Sequence, residues 1–375
     1  MSNRLPAMLI AVLMPLLLFR WFAPTLAWQL DFWGLWLLAM ILVGLPILYA
    51  EGAMAVRAGQ QNLPVLGMQT LTREADKSVG WRSFAWLAVV LVMLVAGLGL
   101  DSASANGMEA LSQLGVTLSV PVFAVGAVLT VIAGLLSLVG RQLLMPAIGL
   151  ILIGLVVGVI QGIAGHPPVL DLQMTGTSLT EWAVAVLLAL VCVGAGTGLY
   201  WYAYPQDGDK KPNMTRKVMP IWLTQLAIGV VLLLISNVSI TALHEQPSFA
   251  SLITSLGVLL ASAYLMHIAS LQLATVFKQF GIWIATLIVM AVVLAVVLIV
   301  KPSWQVALVA FLSLICALEL AIFSGWQMKI SHLRKSLNFA SEGRYNVGRV
   351  AIRIIAPLGI LLAILAIVMG WLGLS

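Results

Sequence analysis

Eleven largely apolar stretches, each about as long as a bilayer is thick, constrain this 375-residue chain more than any other feature. In lipid such stretches form α-helices, because every backbone N–H and C=O must find a hydrogen-bond partner within the segment. A transmembrane barrel is disfavoured, since its strands would alternate apolar and polar residues. Only 9% of the residues are charged, against about 25% in soluble domains. The sequence therefore predicts an all-α polytopic membrane protein.

The basic residues predict the orientation of these spans. Of nineteen lysines and arginines, only Arg20 and Lys301 fall on the side opposite the N-terminus. Basic residues collect in cytoplasmic loops, so we expect a cytoplasmic N-terminus and, after eleven spans, a C-terminus on the outer side. This distribution explains the net charge of +6 without nucleic acid; the lipid bilayer is the expected partner. The predicted spans are residues 5–24, 33–55, 80–100, 118–139, 143–163, 180–203, 217–241, 250–277, 281–301, 304–327 and 349–373.

Two of the spans contain residues that interrupt helices. Span one holds Pro15 in "IAVLMPLLLFRW", and span six alternates Gly194, Gly196 and Gly198 in "LVCVGAGTGLYWYAYP". One glycine in a membrane helix commonly means close packing, but three within five residues favour an unwound segment. Spans one and six each begin a set of five, and inverted-repeat transporters place broken helices at such matching positions, with the binding site between them.

This correspondence predicts how the chain is divided. Residues 1–163 would form the first five-helix repeat, with spans one to five. Residues 164–327 would form the second, inverted repeat, with spans six to ten. Residues 328–375 would hold a cytoplasmic loop and span eleven.

Three ionisable residues lie at membrane depth, where a charge is costly. Glu51 follows "VGLPILYA" and has three interpretations: a cap for the amides of a broken helix, a proton carrier, or a partner for a buried cation. Glu319 is expected to hydrogen-bond between helices. His267, in "ASAYLMHIASLQ", is either a polar tether or a protonatable site, since imidazole titrates near physiological pH.

No enzyme constellation is found in the sequence. It lacks HExxH, GxSxG and a P-loop, and the glycine-rich part of span six lacks the lysine and the strand of a phosphate loop. His166, His244 and His332 fall in loops or at span boundaries. Cys192 and Cys316 both lie in apolar runs, so neither a disulfide framework nor a thiolate metal site is expected. The sequence predicts a non-enzyme without catalytic residues, metal or cofactor.

Several stretches, taken in order, resemble the neurotransmitter:sodium symporter family. "FWGLWLLAMILVGLPILYAEGAMAVRAG" resembles its second helix, "LLMPAIGLILIGLVVGVIQ" its fifth and "EWAVAVLLALVCVGAGTGLYWYAYP" its sixth. "ALELAIFSGW" and "LNFASEGRYNVGRVAIRIIAPLGILLAILAIVMGWL" are similar to its tenth and eleventh. The resemblance implies a leucine-transporter-like fold, with eleven transmembrane helices in a 5+5 inverted repeat and discontinuous helices 1 and 6. It also implies sodium-coupled uptake of amino acids or amines across a bacterial inner membrane, with the C-terminus periplasmic.

The resemblance assigns roles to single residues as well. Arg20 falls on the family's outer-gate arginine, Glu51 on the glutamate that caps the unwound helices, and Pro15 and Gly198 belong to the helix breaks. His267 is the candidate proton site. The substrate-binding residues that the resemblance implies are Ala189, Cys192, Gly194, Ala195, Gly196, Met266 and Ser270.

The sequence departs from the family at the sodium sites and at the outer gate. Leu17 stands where helix one would carry a sodium-binding asparagine, and Leu265 and Met266 stand near the hydroxyl pair of the second sodium site. Ser303 replaces the outer-gate acid that would face Arg20. Isobutyl and thioether side chains supply no oxygen ligand, so the sodium sites are expected to be eroded.

Three functional hypotheses follow from these departures. The first is a secondary transporter with altered coupling, proton-linked or uncoupled, for a small apolar or amine solute. The second is a transport-silent relative that serves as a subunit or scaffold for a protein partner in the membrane. The third is an ordinary sodium-coupled amino-acid symporter whose sites are built from backbone oxygens.

Overall fold

The computed structural model describes most of the chain as helix. It covers residues 5–22, 29–59, 63–165, 174, 176–194, 196–203, 213–239, 248–279 and 281–372. No β-strand occurs within these ranges, which confirms the predicted all-α class. The α-helices are α1 (Leu5–Phe22), α2 (Leu30–Ala39), α3 (Leu45–Arg57), α4 (Pro64–Ala75), α5 (Ser83–Gln113), α6 (Val122–Leu136), α7 (Leu144–Gly165), α8 (Leu179–Cys192), α9 (Leu199–Ala203), α10 (Met214–Ser239), α11 (Ser248–Val276), α12 (Gly281–Ile299), α13 (Pro302–Ile322), α14 (Ile330–Leu337), α15 (Glu342–Val350) and α16 (Ala356–Trp371).

Short 3₁₀ and π segments join or interrupt several of these helices. The 3₁₀ turns are Val79–Arg82 and Ser137–Leu143, and the π-helical segments are Met40–Gly44, Phe323–Gln327 and Ala351–Ile355. Single π turns inside membrane helices mark places where the regular ladder widens, frequently at functional sites.

Nine helical stretches among the described residues are long and apolar enough to cross a bilayer. One of them, Val122–Ile160, contains α6 and most of α7, which are separated at Gly140 by a non-helical φ of 80° and ψ of −138°. The apolar α8 is shorter, with 14 residues. The chain is therefore a multi-pass membrane protein, while the count of eleven spans and the orientation of the termini stay predictions.

The helices fall into two compact units. The first contains Met1–Ala88, Leu172–Leu232 and Ala310–Ser375. In this unit α8 lies at the centre, in contact with α1, α2 and α16. Nine of its 14 residues are buried, because its sequence "LTEWAVAVLLALVC" is apolar on every face beyond the first turn.

The second unit contains Val89–Asp171 and Leu233–Val309. Its α11 packs along α7 and also contacts α6 and α12. Small residues permit this close approach: a Cβ added at Gly257 would lie 3.0 Å from the carbonyl oxygen of Ala147. Each unit draws helices from both predicted repeats, and the division into residues 1–163 and 164–327 stays a prediction about their symmetry.

Helix α1 corrects one part of the predicted fold. It runs as a continuous α-helix from Leu5 to Phe22 with Pro15 inside it, so the predicted break in helix 1 is wrong. Pro15 cannot donate to the carbonyl of Ala11, but no glycine adjoins it to make a non-helical turn easy. Packing of the buried side chains Ile10 and Leu18 on either side supports the regular winding.

Candidate functional site

The sixth membrane segment is broken at mid-length, as predicted. Helix α8 ends at Cys192, and the chain continues as helix only at Leu199 in α9. Gly194, Gly196 and Gly198 between them have φ values of 61°, 78° and 72°. These lie in the left-handed region, where glycine has no Cβ to clash. The alternating glycines therefore turn the chain out of the helix.

The space around two of the glycines also excludes a side chain. A Cβ at Gly196 would lie 2.9 Å from the backbone nitrogen of Ala317 in α13, and one at Gly198 would overlap the ring of Pro64. Real Cβ atoms do not approach backbone that closely. The break is thus wedged between α13 and the start of α4.

Glu51 lies beside the break and is completely buried on α3. Its Oε2 accepts a hydrogen bond from the amide of Gly196 at 3.2 Å. The amides of Gly198 and Tyr200 also act on the carboxyl group as hydrogen-bond donors. This is the contact that the capping interpretation of Glu51 requires, because amides released by an interrupted helix need an acceptor away from water.

Two further polar side chains form hydrogen bonds with backbone groups at the break, and the sequence reasoning did not identify them. The hydroxyl of Thr197 donates to the carbonyl of Gly194 and accepts from the amide of Leu199. The side-chain amide of Gln225 in α10 donates to the carbonyl of Val193 at 2.7 Å. Gln225 was visible as an amide inside the seventh span, which is the signal that could have found it. These bonds pair backbone groups that are released at the break, while Oε1 of Glu51 and Oε1 of Gln225 are buried without a hydrogen-bond partner in the described part of the chain.

The part of α8 before the break supplies the remaining predicted residues of this unit. Ala189 is fully buried and Cys192 is 5% exposed. A Cβ at Gly194 would lie 3.2 Å from Cγ of Met14, so a thioether side chain of α1 fills the space beside the break. Ala195 lies outside the described residues.

The other predicted residues belong to α11 in the second unit. Met266 and Ser270 are fully buried, and the hydroxyl of Ser270 donates to the carbonyl of Met266 at 2.8 Å. His267 packs against Gly140, where a Cβ would lie 3.3 Å from two atoms of its ring, and the backbone of Ser137 is within hydrogen-bonding reach. These are the contacts that the tether interpretation of His267 requires.

Arg20 and Glu319 occupy different environments in the first unit. Arg20 is exposed, with its guanidinium carbon 5.0 Å from the centre of the Trp21 ring. Glu319 accepts a hydrogen bond from the hydroxyl of Ser83, which is 3.1 Å from each carboxyl oxygen. That bond joins α13 to the start of α5, as expected of a helix–helix hydrogen bond.

Asp101 is an acid at membrane depth that the sequence reasoning missed. The predicted third span ended at residue 100, whereas α5 continues to Gln113 and carries Asp101 in its interior. Its carboxyl group accepts a hydrogen bond from the side-chain amide of Gln305, which also donates to the carbonyl of Val300 at 2.8 Å. Gln305 thereby links α5 to the end of α12.

The comparisons with known proteins identify the fold. The chain superposes on MhsT, a transporter of the neurotransmitter:sodium symporter family, in a crystal structure of MhsT in complex with L-phenylalanine. The TM-score is 0.70 over 97% of this chain and 98% of the MhsT chain, with 15% sequence identity. The predicted leucine-transporter-like fold is thereby confirmed. No protein-family model matches the sequence, and no curated protein matches it either.

Proposed function

We propose that this protein is a divergent relative of the neurotransmitter:sodium symporters that moves a small solute without their usual sodium coupling. The observation that carries the proposal is the break between Cys192 and Leu199, held by Glu51 inside a fold shared with MhsT. Broken helices at membrane depth are tolerated where protein or a cavity takes the place of lipid. We place the protein in a bacterial cytoplasmic membrane, with its N-terminus cytoplasmic.

The local chemistry favours an apolar solute or an amine over a zwitterion. Apolar side chains surround the break: Ala189 and Cys192 on α8, and Met14 on α1. The amide of Gly196 is already taken by Glu51, and that of Leu199 by the hydroxyl of Thr197. A substrate carboxylate would therefore find few free donors on this side. MhsT was crystallised with L-phenylalanine, and its amine counterpart, 2-phenylethylamine, suits this chain better.

Helix α1 supports the loss of sodium coupling. Backbone carbonyls at an unwound stretch coordinate the ion in transporters with broken helices. In α1 the winding is continuous, so Pro15 frees only the carbonyl of Ala11. Leu13 and Leu17 are buried hydrocarbon side chains and add no oxygen.

The test is uptake by the full chain in proteoliposomes. Three conditions are compared: an inward sodium gradient, an inward proton gradient, and neither, with L-phenylalanine and 2-phenylethylamine as solutes. We expect uptake that is faster for the amine and unchanged by sodium. Uptake that needs sodium would support the ordinary symporter instead and contradict the proposal.

The proton-linked form of the proposal depends on His267. His267→Ala should abolish the response of uptake to the proton gradient, because no imidazole would remain at membrane depth in α11. His332→Ala, at a histidine of α14 outside the predicted spans, is the matched control and should leave the response intact. Equal responses in both variants would show that proton coupling does not depend on His267, whereas a wild type that does not respond to the proton gradient would leave uncoupled transport as the mechanism.

A transport-silent scaffold is the second candidate, and Met14 is the observation that favours it. This side chain occupies the space beside Gly194, and the carbonyl groups of Gly194 and Val193 are hydrogen-bonded to side chains of the protein itself. Such packing needs no solute to complete it.

The two cysteines separate these candidates. Cys192 is the last residue of α8 before the break. Cys316 is fully buried on α13, the helix against which Gly196 packs. A transporter must open the break to water in part of its cycle, so a water-soluble thiol reagent should label Cys192 slowly and leave Cys316 unlabelled. Variants Cys316→Ser and Cys192→Ser isolate each thiol. A rigid scaffold would leave both unmodified over hours, and it would co-purify with a stoichiometric partner.

A further inference from the structure

A cavity of about 570 Å³ opens on the surface of the first compact unit, away from the helix break. Its walls come from α3, α15, the two π-helical segments that adjoin them, the first turn of α10 and the loop residue Phe339. Most of the wall is aliphatic, as at Ile41, Leu45, Val347 and Ile355. Ile41 and Val347 are 43% and 71% exposed, so the cavity communicates with the surroundings of the protein.

Two π-helical segments form part of these walls. Ile41 belongs to the segment Met40–Gly44, and Ile352 belongs to the segment Ala351–Ile355. The two segments contact each other. A π turn inserts an extra residue into the helical ladder and widens the helix locally. The coincidence of both π segments at one place indicates a built recess rather than a packing fault.

One end of the cavity is polar. Arg344 on α15 lies there, together with Tyr49 and Thr215. The hydroxyl of Tyr49 is hydrogen-bonded to Thr215 and is close enough to Arg344 for an electrostatic interaction. The cavity therefore combines a cationic, hydroxyl-bearing end with a long aliphatic wall, which matches a molecule with an anionic head and a hydrocarbon tail.

The charge of Arg344 is left without a carboxylate in the described part of the chain. The neighbouring acid Glu342 is directed to Arg334 instead, with 3.3 Å between the guanidinium and carboxyl groups. Arg344 is exposed and so meets either water or a lipid headgroup. Arginine pairs bidentately with phosphate.

We propose that this cavity binds an anionic phospholipid, with the phosphate on Arg344, Tyr49 and Thr215 and an acyl chain along the aliphatic wall. The headgroup would lie at the level of α15, which carries Arg344 and Arg349 next to the last membrane helix. Basic residues beside membrane helices attract acidic lipids in this way. The site is independent of whether the protein transports a solute.

The test is the retention of lipid by the full chain. Protein from nanodiscs of equal phosphatidylglycerol and phosphatidylethanolamine is moved into detergent, and the bound lipid is identified by native mass spectrometry. We expect wild type to retain phosphatidylglycerol preferentially. Arg344→Gln should lower that preference about fivefold, since one basic residue near a membrane surface is worth a factor of this size. Arg73→Gln, at an exposed arginine of α4 outside the cavity, is the matched control and should not change it.

A second variant tests whether the lipid needs the volume of the cavity, in addition to the charge of Arg344. Ala351→Phe places a ring in the cavity and should reduce retention of both lipids. Retention like that of wild type in either Arg344→Gln or Ala351→Phe would overturn the proposal. So would inorganic phosphate stabilising wild type against heat as well as phosphatidylglycerol does, because that result would indicate a free-anion site. A dimer that Ala351→Phe converts to monomer would assign the cavity to a second copy of the chain.

Discussion

The first and sixth predicted membrane segments both carry helix breakers, yet only the sixth is broken. In α1 a single proline lies within a regular helix of 18 residues. Between α8 and α9, three glycines with positive φ turn the backbone. The side chains of Glu51, Thr197 and Gln225 form hydrogen bonds with the backbone amide and carbonyl groups that have lost their helical partners. The difference is both steric and chemical.

A break at membrane depth requires both a backbone that can leave the helix and new partners for the hydrogen-bonding groups that it releases. Proline removes one donor from the ladder but keeps φ near the helical value, so the helix continues where the neighbours pack well. Glycines allow left-handed backbone, and buried polar side chains then replace the lost helical bonds. A breaker without such partners leaves polar groups unsatisfied at a high cost. Helix α1 has the proline but keeps its regular winding.

Gly196→Ala should have the largest effect and test the steric half of this comparison. A methyl group there meets left-handed strain of about 1–2 kcal/mol and the backbone of Ala317, which adds about 1–3 kcal/mol of overpacking. We expect little folded protein by size-exclusion chromatography and a sharply lower melting temperature. Gly149→Ala, in α7 with open space around it, is the control. A variant at Gly196 that melts like this control would show that the break tolerates a side chain.

Glu51→Leu tests the chemical half. It removes the acceptor of the Gly196 amide, and an orphaned buried donor costs about 1–3 kcal/mol. Glu51→Gln retains an acceptor oxygen and should melt between wild type and the leucine variant. Identical melting curves for the two variants would remove the capping role of this residue.

Thr197→Val should have a smaller effect of the same kind. It deletes one donor and one acceptor from the break, which is worth about 1 kcal/mol in the free energy of unfolding. Thr130→Val in α6 is isosteric and also loses a hydroxyl bonded to a backbone carbonyl, but in a continuous helix. We expect Thr197→Val to lower the melting temperature more than Thr130→Val; the reverse order would contradict the special role of the break.

Pro15→Ala should have the smallest effect and the opposite sign. Alanine restores the donor to the carbonyl of Ala11 in a helix that is already continuous, so we expect a gain of about 1 kcal/mol, the net contribution of one hydrogen bond. Uptake should be unchanged. A clear loss of stability or transport in this variant would mean that α1 needs its proline as a break after all.

The sequence was sufficient for the features that depend on rare residues at membrane depth. Three glycines within five residues predicted the break in the sixth segment, and an acid in an apolar run predicted that Glu51 has a special role. The helical class followed from the apolar stretches alone. These signals are strong because unpaired backbone groups and charged side chains are both costly in the hydrocarbon layer of a membrane.

The sequence was insufficient for features that depend on how neighbouring helices pack against one another. Whether Pro15 breaks α1 depends on neighbouring helices that the local sequence does not reveal. Asp101 was missed because hydropathy ended the third span at residue 100, although α5 continues to Gln113. Gln225 looked like one more polar residue in a span until its carbonyl partner, Val193, was known.

Hydrogen–deuterium exchange can distinguish a continuous first helix from a capped break in the sixth segment. In wild type we expect slow exchange both for residues 196–201 and for the middle of α1, because both sets of amides are hydrogen-bonded. In Glu51→Gln, exchange should accelerate at residues 196–201 only. Fast exchange in the middle of α1 of wild type, or acceleration in α1 as large as at the break, would contradict a continuous first helix and a separately capped sixth.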